Sequence, residues 1–98
     1  MLLPCPAWAG NPTAQNFILV QWRTPGLPFD LVVVNLAPHP SQCYAPLSVP
    51  ELAARNWVLR DLLGAETHER SGADLASQGL YLDLPALGAQ LFHFEPLP

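Results

Sequence analysis

The side chains able to carry chemistry in this chain are eight carboxylates, three histidines, two cysteines and a few serines. General acid–base work on a glycosidic bond takes two carboxylates held on opposite sides of it. The candidates are Asp30, Glu51, Asp61, Glu66, Glu69, Asp74, Asp83 and Glu95, and most fall at turns or at outward strand positions, as solvated surface groups do. Asp61 differs, lying between Arg60 and Leu62 in an apolar stretch, where an ion pair or a turn hydrogen bond is the expected role. His39, His68 and His93 lack ligand spacing, so no metal site is expected. Ser71-Gly72 and Ser77-Gln78-Gly79 do not have the nucleophile-elbow form, and no glycine loop suited to phosphate is present. The expectation is no catalytic residue, no metal and no cofactor.

Aromatic rings remain. Exposed Trp and Tyr faces stack on sugar rings by burying apolar area. Trp8, Tyr44 and Tyr81 stand apart from the strongest apolar patterns and form a candidate sugar platform, with ordinary packing or docking as the competing role. Trp22 shares a strand face with Ile18 and Val20, and Trp57 heads an apolar run; both are expected in the core.

With 98 residues the chain is one domain with enough length to bury a real core. Hydrophobic residues make up 50%, but charged residues only 12%, against about 25% in a typical domain. Lysine is absent, and the net charge of −4 argues against a footprint for nucleic acid or for an anionic membrane surface. So sparse a charge suggests that part of the surface is covered by another protein. No run approaches a membrane span, and the first residues lack the basic and apolar regions of a signal peptide. Cys5 and Cys43 could form one bridge, but a buried thiol is the commoner state for a mid-strand cysteine. These features favour the cytoplasm and leave the compartment otherwise open.

The elements that must position these groups are organised around Leu31 to Leu36, a β-branched run bounded by Pro28 and Pro38. Residues 1 to 16 are a lead-in broken by proline and glycine, and 17 to 98 form the domain. Phe17 to Arg23 alternates, with Ile18, Val20 and Trp22 expected inward, as are Val32, Val34 and Leu36 in the central strand. Ser41 to Leu47 is an edge strand because Pro46 cannot donate, with Cys43 and Ala45 inward. Ser48 to Glu51 has the form of a capping box ahead of a short helical turn. Asn56 to Leu63 reads as a strand, and Ser71-Gly72 as the turn of a hairpin between 67–70 and 73–76. Leu80, Leu82 and Leu84 alternate inward, and Gln90 to Glu95 returns after a turn at Leu87-Gly88. Seven or eight short strands at this spacing predict an all-β fold, an antiparallel β-sandwich of Greek-key type.

The two central strands are apolar on both faces. Phe17, Leu19, Leu31 and Val33 occupy the expected outer positions, where a solvated antiparallel sheet should be polar. Either loops of the same domain cover them, or they are a face for docking a neighbouring domain or a second copy.

From the central strand onward the residues resemble the C-terminal β-sandwich domain of α-amylase family glycoside hydrolases. The matching pieces are Leu31-Val32-Val33-Val34-Asn35-Leu36, Ser41-Gln42, Trp57-Val58-Leu59-Arg60-Asp61-Leu62-Leu63 and Arg70-Ser71-Gly72-Ala73-Asp74-Leu75. Gly79-Leu80-Tyr81-Leu82-Asp83-Leu84-Pro85 and Leu91-Phe92-His93-Phe94 complete the series, and Phe17 to Trp22 fits ahead of it, so the resemblance spans about residues 17 to 95. In that family the sandwich follows a (β/α)8 barrel that holds the catalytic carboxylates, and no barrel motif is present here. The resemblance therefore implies a non-catalytic accessory domain whose partner is the barrel. Two other expectations stand beside it: an independent module binding α-glucan through the aromatic platform, and a protein-interaction domain that dimerises through its apolar face.

Overall fold

The computed structural model describes residues 1–5, 13–23 and 28–97. Among the described residues eight strands form: β1 (Leu2–Leu3), β2 (Phe17–Arg23), β3 (Phe29–Asn35), β4 (Ser41–Ala45), β5 (Asn56–Asp61), β6 (Thr67–Ser71), β7 (Leu80–Leu84) and β8 (Ala89–Pro96). One short helix, α1 (Gly72–Gln78), separates β6 from β7, and 3₁₀ turns occupy Ala14–Asn16 and Leu52–Ala54. The fold is thus mostly β. Six strands pair in the order β1-β2-β3-β8-β5-β6, and β4 and β7 pair in a second sheet; every pairing is antiparallel. β3 is the central strand expected from its composition, with β2 and β8 on its two sides.

Residues of both sheets meet in one hydrophobic cluster. The large sheet sends in Leu3, Phe17, Leu19, Phe29, Leu31, Val33, Trp57, Leu59, Phe92 and Phe94, and the small sheet Cys43, Ala45, Leu80, Leu82 and Leu84. Phe29 stacks on Phe94 at 4.3 Å and meets Trp57 edge-on at 5.2 Å, and such pairs add about 0.5–1.5 kcal/mol each beyond the area they bury. The lead-in contributes too: β1 pairs with β2, and Leu3 is buried against the core.

The inward face of β2 and β3 is the opposite of the one expected. Phe17, Leu19, Leu31 and Val33 are core residues, the last three with no exposed surface, whereas Trp22 is 64% exposed and Leu36 57%. Trp22 is therefore not a core residue, and a docking face or a dimer cannot be built from Phe17, Leu19, Leu31 and Val33. Polar satisfaction decides the matter. Gln21 and Asn35 lie on the buried face, where each has partners: Gln21 exchanges two hydrogen bonds with the backbone of Ser48, at 2.7 and 2.8 Å. The Asn35 amide donates to the carbonyls of His39 and Pro85, and its Oδ1 accepts from the Ala37 N–H. Buried polar groups with partners cost little, so two amides can sit in the core. Alternation alone could not reveal this.

Two local expectations also change. Ser71-Gly72 is no hairpin turn: Ser71 is the N-cap of α1, its hydroxyl accepting from the Asp74 N–H at 3.4 Å. Gly72 is needed for close approach, because a Cβ there would lie 1.9 Å from the carbonyl oxygens of both Leu52 and Arg55. The Ser48–Glu51 capping box does not form, since Glu51 itself stands at the cap position and its carboxylate turns to Arg55, 3.4 Å away. The helical turn that follows is short, as expected.

Candidate functional site

Register places the outward residues of the large sheet in rows. Ile18, Val34 and Ala89 form one row; Leu2, Val20, Val32 and Leu91 the next; Trp22, Asp30, His93, Arg60 and Thr67 a third. The first two rows are wholly apolar and half-buried to exposed, and Trp22 stands at the head of the third. The outer face therefore divides into an apolar half on the first two rows, across β1, β2, β3 and the start of β8, and a polar half on the third row, from Asp30 across His93 to Arg60.

The polar half is wired. His93 Nδ1 lies 2.6 Å from Asp30 Oδ1, His93 Nε2 lies 3.2 Å from Glu95 Oε1, and Arg60 reaches the same Glu95 oxygen at 3.9 Å. A neutral imidazole has one N–H and can donate to only one of the two carboxylates, whereas the imidazolium donates to both. Among the described residues no hydroxyl or thiol is hydrogen-bonded to this ring, so the arrangement lacks a nucleophile. It ties β3 to β8 across the sheet surface. Sequence reasoning did not find the pair, because Asp30 and His93 are 63 positions apart and alternation reports only that each points outward.

Asp61 has the turn role expected of it. Its Oδ1 accepts from the Leu63 N–H at 3.1 Å and the Leu91 N–H at 3.4 Å, closing the β5–β6 connection against β8. The other carboxylates with contacts serve surface pairs such as Glu66 with His68 at 3.1 Å. Among the described residues no group of three His, Cys, Asp or Glu could hold a metal, and no helix is long and apolar enough to cross a membrane.

On the small sheet, Tyr44 and Tyr81 are direct partners across β4 and β7, with ring centroids 5.2 Å apart and planes tilted by 57°. Tyr81 is 51% exposed. The next pair on the same face is Gln42 and Asp83, the amide donating to the carboxylate at 3.0 Å. Two members of the expected platform are thus brought together; Trp8 lies outside the described residues.

Both cysteines are free thiols, Cys43 buried and Cys5 half-buried. Burial pushes the Cys5 thiol up, and burial together with the nearby Cys5 pushes Cys43 up to about 12. Neither is poised as a nucleophile, since reactivity follows the thiolate. A surface hollow of about 640 Å³ is lined by Glu51, Ala54, Arg55, Asn56 and Leu97 and holds only the Glu51–Arg55 ion pair.

Compared with protein-family models and with curated proteins, the chain matches none.

Proposed function

We infer that this chain is a non-catalytic accessory domain, a β-sandwich of Greek-key type like the one that follows the barrel in α-amylase family enzymes. It packs on that barrel through the outer face of the large sheet. The observation that carries this reading is the pair of apolar rows on the solvent side of β1, β2, β3 and β8, with the exposed Trp22 in the row beside them. A sheet that already has a full core on one side does not need Ile18, Val20, Val32 and Val34 on the other. The shared cluster of the two sheets and the order β1-β2-β3-β8-β5-β6 support the sandwich arrangement.

Docking here means burying Trp22 as an anchor among flat aliphatic neighbours, with the Asp30–His93–Glu95–Arg60 row as a polar rim. The test is to co-express the chain with α-amylase family barrels from which the C-terminal β-domain has been removed. Co-purification and recovery of soluble barrel are expected, and Trp22→Glu should abolish both while leaving the chain folded. Association that survives Trp22→Glu unchanged, or release of reducing sugar from starch by the chain alone, would overturn the reading.

A further inference from the structure

The chain has two cysteines, and the fold brings both to one core cluster from different sheets, Cys5 following β1 of the large sheet and Cys43 on β4 of the small one. We propose that Cys5 and Cys43 are a redox pair: an oxidant joins them as a disulfide that clamps β1 to the small sheet, and reduction releases it. The proposal concerns these two sulfurs and does not depend on the barrel reading.

The geometry comes from strand register and hydrogen bonds. β1 pairs with β2 at Leu2↔Val20 and Leu3↔Leu19, and continuing that register by two residues sets Cys5 opposite Phe17, on the inward side with Leu3. Its Sγ donates to the Phe17 carbonyl at 3.5 Å, and the side chain packs against the core. β4 reaches the same place. The amide of Asn16, next to Phe17, donates to Ser41 Oγ at 3.2 Å, and the Gln42 N–H donates to Thr13 Oγ1 at 3.1 Å. Cys43 follows Ser41 on the inward side of β4 and has no exposed surface. A charge on Cys5 is felt at Cys43, as two neighbouring sulfurs require. With no third cysteine in the chain, the bridge has one intramolecular form.

The oxidant is a small-molecule disulfide such as oxidised glutathione. Cys5 is the entry point, being half-buried and next to a strand of only two residues, the kind of segment that opens locally at small cost. In the open state its thiol loses a proton and the thiolate attacks one glutathione sulfur, breaking the glutathione S–S bond and releasing one glutathione thiolate. When β1 closes again, the Cys43 thiol gives up its proton and its sulfur attacks the Cys5 sulfur of the mixed disulfide, expelling the second glutathione. Two electrons have passed from the cysteines to the glutathione disulfide, and the two protons end on the two glutathione thiols. Burial pushes both thiols up in the closed fold, so the exchange is slow. Once formed, the bridge holds β1 in place beyond its two residues of pairing.

The test incubates the whole folded chain with oxidised glutathione at about pH 8 and then blocks remaining thiols with iodoacetamide in denaturant. Peptide mapping is expected to find Cys5 linked to Cys43 in a monomer, with no alkylation and no retained glutathione, and dithiothreitol should restore both thiols. The oxidised chain should melt about 10 °C or more above the reduced one, as an unstrained bridge closing a long loop does. The Gln21 amide, which donates to the Met1 carbonyl at 2.8 Å, should exchange about tenfold more slowly once β1 is clamped. Cys5→Ser and Cys43→Ala should each abolish the redox dependence of the melting temperature; Cys5→Ser, at the half-buried site, serves alone if Cys43→Ala does not fold. Two alkylated cysteines after prolonged oxidation, a lasting glutathione adduct on Cys5, dimers linked through Cys5, or a bridged chain that melts below the reduced one would overturn the proposal.

Discussion

The indole Nε1 of Trp57 donates to the carbonyl of Leu52 at 3.0 Å, and the same carbonyl is one of the two on which Gly72 packs. A buried strand residue, a 3₁₀ turn and the first residue of α1 are thereby locked around one oxygen. The lock holds the chain where it passes from the β5–β6 pair to β7.

Gly72→Ala should be among the most damaging small substitutions in the chain. Its methyl group would sit 1.9 Å from two backbone oxygens, so α1 must move away from the 3₁₀ turn. A loss of about 3 kcal/mol or more is expected. Urea unfolding measures it, and a midpoint equal to the parent's would show that the helix does not pack there. Trp57→Phe, which keeps a ring but leaves the Leu52 carbonyl without the indole, should cost about 1–3 kcal/mol for that lost hydrogen bond.

Neighbouring valines should respond in opposite ways. Val33 has no exposed surface and Val34 is half-buried on the outer face. Val33→Asp places an unpaired charge in the core and should unfold a domain whose whole stability is on the order of 5–15 kcal/mol. Val34→Asp should remain folded by circular dichroism. The reverse result would restore the inward face expected from the apolar alternation of β2 and β3.

Asn35→Leu should destabilise despite being a polar-to-apolar change at a fully buried site. The amide satisfies the carbonyls of His39 and Pro85 and the N–H of Ala37, holding the exit of β3 against the end of β7. Leaving such groups buried without partners costs about 1–3 kcal/mol each, so a melting temperature lowered by many degrees is expected. A variant as stable as the parent would mean that these groups find water instead.

The Cys43 thiol gives a signature at high pH. Its titration is pushed up to about 12 in the folded chain by burial and by Cys5, above that of an ordinary thiol near 8.5 in the unfolded one. The folded state then holds a proton that the unfolded state has lost. Stability is unaffected by this group below about pH 8.5 and falls by about 1.4 kcal/mol per pH unit between there and about 12. Cys43→Ala should flatten that slope in urea titrations run at pH 9 to 11, and iodoacetamide at pH 8 should leave Cys43 unmodified in the folded chain. An identical slope in the variant would remove the thiol from the account.

Much of this fold was legible in the residues themselves. The β-branched run of β3, the alternation of β7, the edge position of β4 next to Pro46 and the turn role of Asp61 follow from local propensity and period, which act over a few residues. The helix α1 was not, because Ser71-Gly72 carries turn and cap signals alike, and only the approach of the Leu52 and Arg55 carbonyls tells them apart.

For the surfaces the division is sharper. Sequence alone determined that β2 and β3 are apolar on both sides and that Tyr44 and Tyr81 fall outside the inward pattern. Tertiary structure decided which side is core, by giving Gln21 and Asn35 hydrogen-bond partners on one face and leaving Trp22 on the other. It also brought Asp30 to His93 and Tyr44 to Tyr81, because strand pairing joins residues far apart in the chain. A period of two names two faces and cannot choose between them; satisfying buried polar groups can.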